Sequence, residues 1–212
     1  METDDLVNCV YRAALLAASV STVKLQQKSI DSAASGLALQ RLRCSLFISF
    51  EILQELSSHS LKIRFVQSSF TAGEAIFRCA AGREEYLEGS LSVLALAAAA
   101  VEELIGTATA LSHRMARVAG RAAIGEDERV LVSNLPALRI NACHIGTLRA
   151  RALLAQGQVE RAKQALGQVE EAVPGQGEGG EGDEGGLRVA LLVLRLQIAV
   201  EVSALLYICH FR

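Results

Sequence analysis

The 212-residue chain has no Trp, two Pro and 4% aromatic residues, and each shortage excludes something. A β-sheet core draws on aromatic and β-branched side chains paired across strands, and the few such clusters here, as at Val130-Leu131-Val132, are short and lack hairpin turns. With Pro only at Pro136 and Pro174, long stretches carry no helix breaker of that kind. An excess of one charge is also missing: the formal net charge is -2, which leaves no field of the sort that nucleic acid requires. There is no Asn-X-Ser/Thr site, and the five Cys (Cys9, Cys44, Cys79, Cys143, Cys209) are odd in number and widely spaced. That usage reads as reduced thiols and a cytoplasmic or nuclear protein. The acidic opening Met-Glu-Thr-Asp-Asp is opposite in charge to a secretory leader.

Hydrophobic residues make up 51% of the chain, mostly Ala and Leu, a composition that suits closely packed helices. The expected fold class is all-α: stacked antiparallel helix pairs, as an α-solenoid or an irregular helical bundle. Asp4 to about Ser32 and Leu37 to Leu56 read as two helices divided near Gly36, the second with an apolar stripe of Leu42, Leu46, Phe50 and Leu53. Phe65 to Ala81 and Glu84 to Ile105 read as a second pair around Gly82-Arg83. Gly106 is expected to end that helix, Thr107 to cap another reaching about Ala123, and Gly125 to break it. A short helix over Glu126 to Asn134 precedes Pro136. Two amphipathic helices then flank Gly157, and so tight a connection forces them antiparallel.

Domain organisation follows from composition. Residues 1–174 read as a helical-repeat-like domain, and 175–186 as a flexible linker, since seven Gly and four acids cannot bury a core. Residues 187–209 read as an apolar helix packing on the same domain. That segment is long enough to span a bilayer, but Arg195, Glu201 and Gln197 offset its apolar residues.

The segment Arg149 to Pro174 resembles the second half of a tetratricopeptide repeat. Ala150 and Ala162 stand where that family brings two helices close, Leu153 and Leu166 at large apolar positions, Gly157 at the turn and Pro174 at the end. Gly146 and Arg149 depart from it by replacing large apolar residues, and Val169 by replacing a small one. The resemblance implies a helical scaffold with peptides or partner helices along a concave face.

No arrangement carries chemistry. Gly120 to Gly125 lacks the Gly-Lys-Ser/Thr ending of a phosphate loop. Cys143-His144 and Cys209-His210 are poor chelates, because adjacent helical residues point about 100° apart. The neighbouring pairs Glu84-Glu85, Glu102-Glu103 and Glu170-Glu171 do not face each other as an acid and base must. No catalytic, cofactor-binding or metal-binding residue is therefore expected. Arg114, Arg117 and Arg121, spaced by three and four, form a basic stripe that is the candidate partner-binding surface for an acidic peptide. The expected function is a non-enzymatic protein–protein interaction scaffold or adaptor, with another protein or a peptide as partner and self-association into a homo-oligomer as a further expectation. The alternative is a tail-anchored membrane protein with a cytosolic helical domain.

Overall fold

Ala- and Leu-rich stretches with few breakers form helix almost wherever the chain is described. The computed structural model describes residues 3–26, 32–55, 58–80, 83–117, 125–172 and, further on, 192, 195–196 and 198–200. The helices are α1 (Thr3–Gln26), α2 (Ser32–Glu55), α3 (His59–Ala80), α4 (Glu84–Arg117), α5 (Glu126–Ser133), α6 (Leu135–Ala155) and α7 (Val159–Ala172). No strand occurs among the described residues, and the fold is all-α. The chain divides into two compact units, Met1–Leu138 and Arg139–Arg212.

In the first unit, α1 packs with α2 and α3 with α4, and the two hairpins lie against each other with α1 beside α3 and α2 beside α4. The alignment can be read from single contacts. The Tyr11 hydroxyl donates to the Leu61 carbonyl at 2.9 Å near the start of α1 and α3, and the Cys79 thiol to the Leu25 carbonyl at 3.2 Å near their ends. The two helices therefore run the same way. Leu39 of α2 sits against Gly89 of α4, the same distance along the second hairpin, with 3.1 Å to an added Cβ.

Burial repeats at an offset of 51 residues, within the span of these contacts. Each of Ala18, Thr22, Leu25, Ala38, Leu42, Leu46, Ser49 and Leu53 is buried, and so is the residue 51 positions later: Ser69, Gly73, Ile76, Gly89, Val93, Ala97, Ala100 and Leu104. Sequence identity does not carry this match, since only Leu53 and Leu104 among these pairs are the same residue. What repeats is which side of each helix must leave water, set by the helical period.

Helices α3 and α4 approach closely at Gly73. A Cβ there would lie 2.7 Å from Leu94 Cδ2 and 2.8 Å from its Cγ, and Leu94 is fully buried. The Ser90 hydroxyl donates to the Gly73 carbonyl at 2.8 Å, so the same crossing satisfies a buried polar group. Lys62 and Glu103 pair at 2.6 Å toward the other end of the hairpin. At the start of α3 the orphan amides meet a carboxylate from far along the chain. Asp127, in the first turn of α5, accepts from the His59 amide at 2.7 Å, the Ser60 hydroxyl at 2.8 Å and the Ser60 amide at 3.3 Å. Burial raises the Asp127 pKa, but the hydrogen bonds from His59 and Ser60 outweigh it and hold the carboxyl below its usual range.

Three expectations of segmentation are corrected. Gly36 does not divide the first two helices; it lies in the opening turns of α2, and α1 ends by Gln26. Gly106 and Thr107 do not end one helix and cap another, because α4 runs through both. The Thr107 hydroxyl instead bonds back to the Glu103 carbonyl at 2.9 Å, and buried Ala108 and Leu111 continue the packed side. A mid-helix Gly costs about 1 kcal/mol relative to Ala, which such packing overrides. Helix α3 starts at His59 rather than Phe65, just after Ser58, and Asp127 accepts from its first amides. By contrast, α5 falls where expected, with the Gly125 amide before it donating to Glu128 Oε2 at 3.0 Å; the expected break at Gly125 of a helix reaching Ala123 lies against 118–124, outside the described residues.

By length and composition, Glu84–Ala116 of α4 could cross a membrane. Its hydropathy has a local cause, since Val93, Leu94, Ala97, Val101 and Leu104 are buried in the packing of the two hairpins. Most of 187–209, the segment behind the tail-anchored alternative, lies outside the described residues, as does all of 175–186. Of the later positions, Ile198 is buried and Leu192, Leu196 and Val200 are exposed.

In the second unit, α6 ends where the sequence places a turn. Gly157 has φ +73°, its amide donates to the Leu154 carbonyl, and the Gln158 amide donates to the Leu153 carbonyl, both at 2.9 Å. This pair of bonds is a Schellman cap, and the left-handed φ is what favours Gly. Ala150, Leu153, Ala162 and Leu166 are all buried. Gly146 and Val169, two of the departures from the tetratricopeptide pattern, prove to be one exchange. A Val169 methyl occupies the place that a Gly146 Cβ would need, so small and large have swapped across the α6–α7 contact.

Two predictions follow from these contacts. Gly73→Ala forces a methyl against the fully buried Leu94 and should lower stability by about 1–3 kcal/mol in chemical denaturation. Asp127→Ala should cost about 0.5–2 kcal/mol at neutral pH through loss of the cap. Because the folded-state pKa is depressed, the Asp127 contribution is present above the unfolded value of about 4 and disappears as pH falls through the folded one, so the two proteins should converge in acid.

Candidate functional site

Helix α2 buries one side and keeps a second apolar side in reserve. Leu42, Leu46 and Leu53 are fully buried, and Phe50 is half-buried with its ring centroid 5.8 Å from that of Phe65. Phe47 and Ile48 fall off that stripe and remain 54% and 48% exposed. Together with Gln40, Arg43 and Cys44 of α2, and Ser92, Val93 and Leu96 of α4, they line a groove of about 420 Å³ between the two helices. Buried Val93 and half-buried Leu96 form its floor, Phe47 and Ile48 its exposed apolar wall, and Gln40, Arg43 and Ser92 its polar margin.

The groove is suited to binding and not to acid–base work. No carboxylate or imidazole lines it. The Ser92 hydroxyl already donates to the Glu88 carbonyl at 2.9 Å, whereas exposed Arg43 has no ion-pair partner among the described residues. A ligand therefore meets apolar surface with one cation beside it. A second cleft of about 290 Å³ lies between α1 and α3, lined by Ala18, Ser19, Thr22, Val23, Gln67, Ser68 and Thr71. Its hydroxyls are largely spent on their own helices: Ser19 on the Leu15 carbonyl, Thr22 on Ala18 and Thr71 on Gln67.

The basic stripe is only partly placed. Arg114 is exposed and reaches Glu128 of α5 at 3.3 Å, which draws its charge toward the protein's own carboxylate. Arg117 closes α4, with its side chain outside the described residues, and Arg121 lies outside them altogether. Of the histidines and cysteines, Cys143 is buried and burial pushes its thiol pKa up, which favours the unreactive thiol form. His144 beside it is half-buried, His113 is exposed on α4, and Cys209 and His210 lie outside the described residues. Among the described residues no three His, Cys, Asp or Glu side chains come together as metal ligands would. Glu84 and Glu85 lie in the first turn of α4, and Glu103 is taken by Lys62.

Sequence reasoning missed the α2–α4 groove, although the sequence carried a signal for it. Once Leu42, Leu46, Phe50 and Leu53 fill the core stripe, the adjacent Phe47-Ile48 pair has no place in it and must face something else. No protein-family model, curated protein or solved structure matches the chain.

The groove makes a contrast between neighbouring residues testable. Phe47→Glu should change stability by no more than about 0.5 kcal/mol, as for exposed sites generally, while Leu46→Ala should cost about 2–5 kcal/mol. Equal losses in urea denaturation would show that α2 is turned differently.

Proposed function

We propose that this chain is a non-enzymatic protein–protein interaction scaffold or adaptor, in the cytoplasm or nucleus, whose α2–α4 groove takes an amphipathic helix of another protein. The observation that carries the reading is the groove itself: an exposed Phe47-Ile48 wall over a Val93 and Leu96 floor, with Arg43 at the margin and without an ion-pair partner among the described residues. Helix-in-groove recognition uses apolar anchors spaced i, i+3 or i+4 and i+7, and an apolar cleft between two parallel helices offers the matching trough. Arg43 favours a partner helix with a carboxylate beside its apolar stripe.

The helical-repeat reading belongs to the same proposal. Its support is the burial pattern that recurs 51 residues on through two hairpins, and the tetratricopeptide-like α6–α7 turn at Gly157. A tetratricopeptide unit is about 34 residues long, so the likeness to that family extends to the α6–α7 pair and not to the longer hairpins of the first unit. Repeat stacks expose continuous surfaces that grooves of this type punctuate. Exposed Leu192, Leu196 and Val200, four residues apart, add apolar surface of the kind that marks interaction sites.

The test is selection from a displayed library of amphipathic helical peptides against the full chain, with the Phe47→Glu protein as counter-target. The expected result is a family of peptides sharing the helical apolar spacing and a flanking Asp or Glu, whose binding weakens at least tenfold on Phe47→Glu and less on Arg43→Ala. Peptides that bind both proteins equally, or no enrichment at all, would remove the groove from the account.

A further inference from the structure

The outer side of the α1–α2 hairpin presents a second apolar surface, separate from the α2–α4 groove in the residues of α1 that form it. Tyr11, Ala18 and Leu25 bury one side of α1, while Cys9, Ala13, Leu16 and Val20 are exposed on the other and exposed Val23 borders the α1–α3 cleft. Cys9, Ala13, Leu16 and Val20 are spaced by four, three and four, the 3.5-residue period with which one helix meets another along a seam. Leu37, Cys44 and Ile48 of α2 are likewise exposed, on the side opposite its buried Leu42, Leu46 and Leu53.

The dimensions select the occupant. Helices α1 and α2 each have 24 residues, which at 1.5 Å per residue and an axis separation of 8–10 Å gives a face of roughly 36 by 20 Å, or about 700 Å². A stable protein–protein interface removes about 800 Å² from each partner. A single docking helix would cover about half of this face, whereas another helix pair of the same length covers it all. The other side of the same hairpin already packs in that way, against α3 and α4.

Charge points the same way. Arg41 and Glu51 are exposed on α2, and neither makes an ion pair among the described residues. A two-fold axis crossing α2 level with Leu46 lays two copies of this helix antiparallel and brings Arg41 of each opposite Glu51 of the other. A surface that contacts itself through such an axis satisfies both charges twice, as isologous dimers do.

We propose that the α1–α2 face is a homodimer interface, covered by the same face of a second copy of this chain related by a two-fold axis, with Leu16 and Val20 at its apolar centre and Arg41 paired to Glu51 across it. Cys44 and Ile48 belong to both surfaces, so the dimer and a groove-bound helix compete for them, but the two proposals fail separately: Phe47→Glu tests the groove, and the substitutions below test the face.

The experiment is sedimentation equilibrium of the full chain over a hundredfold range of concentration, with three variants alongside. The wild-type chain should be a dimer at the upper end, and the double variant Leu16→Glu, Val20→Glu a monomer with an unchanged circular dichroism spectrum. Arg41→Glu should weaken the dimer about tenfold, and adding Glu51→Arg should restore it. Maleimide labelling gives an independent readout, with Cys9 and Cys44 protected in the dimer and reactive on dilution. A wild-type chain that stays monomeric throughout overturns the proposal. So does a dimer that survives the Leu16, Val20 double substitution, or one that Arg41→Glu weakens and Glu51→Arg fails to rescue.

Discussion

The first unit depends on the close approach of α3 and α4 at Gly73. With no Cβ there, Leu94 lies directly against the α3 backbone, and Ser90 can reach the Gly73 carbonyl. This contact fixes the height at which the two helices cross, and hence which residues of α4 remain to meet α2. Leu39 then seats against Gly89, Tyr11 reaches the Leu61 carbonyl, and the first hairpin takes its register from the second. Glycine at both contact points means that backbone proximity sets the alignment. That is the strictest form of packing constraint a helix pair can have.

Surface follows from the same register. Because the hairpins stack with α1 beside α3 and α2 beside α4, each helix of the first hairpin has neighbours on part of its circumference only. Ala and Leu on the remaining part have nothing to bury against within the hairpin stack. The chain therefore combines an ordinary core, with Leu42, Leu46, Phe65 and Leu94 fully buried, and exposed Phe47, Ile48, Leu16 and Val20. The composition that makes helices here also leaves apolar side chains exposed on two surfaces, which is what the proposed function draws on.

Much of this was legible in the sequence. The Leu42 to Leu53 stripe follows from period alone, as does the Gly157 turn, because a lone Gly between two amphipathic runs has one local role. Gly106 and Gly36 misled for the complementary reason: glycine reports a break only where no tertiary packing carries the helix through it. At the start of α3, Ser58 was a local signal, but the carboxylate that binds the first amides was illegible, because Asp127 lies 68 residues from the His59 amide. No local window contains both. The Arg114 stripe was legible as a stripe, but its pairing with Glu128 depends on where α5 lies, which spacing does not encode. In the second unit, Gly146 and Val169 were visible as departures from a pattern; that they compensate each other needed the α6–α7 contact.

The central claim is that the two hairpins stack side by side, α1 on α3 and α2 on α4, and do not close into an up-and-down bundle, in which α1 would adjoin α4. The most direct measurement is a pair of spin-label distances from Ser19 of α1, one to Thr71 of α3 and one to Ser92 of α4. All three positions are exposed, and the labelled chain would carry no other cysteine and be diluted with unlabelled protein. The stacked arrangement predicts the shorter distance to Thr71, with which Ser19 shares a cleft. A shorter distance to Ser92 would contradict it, and with it both the groove and the proposed dimer face.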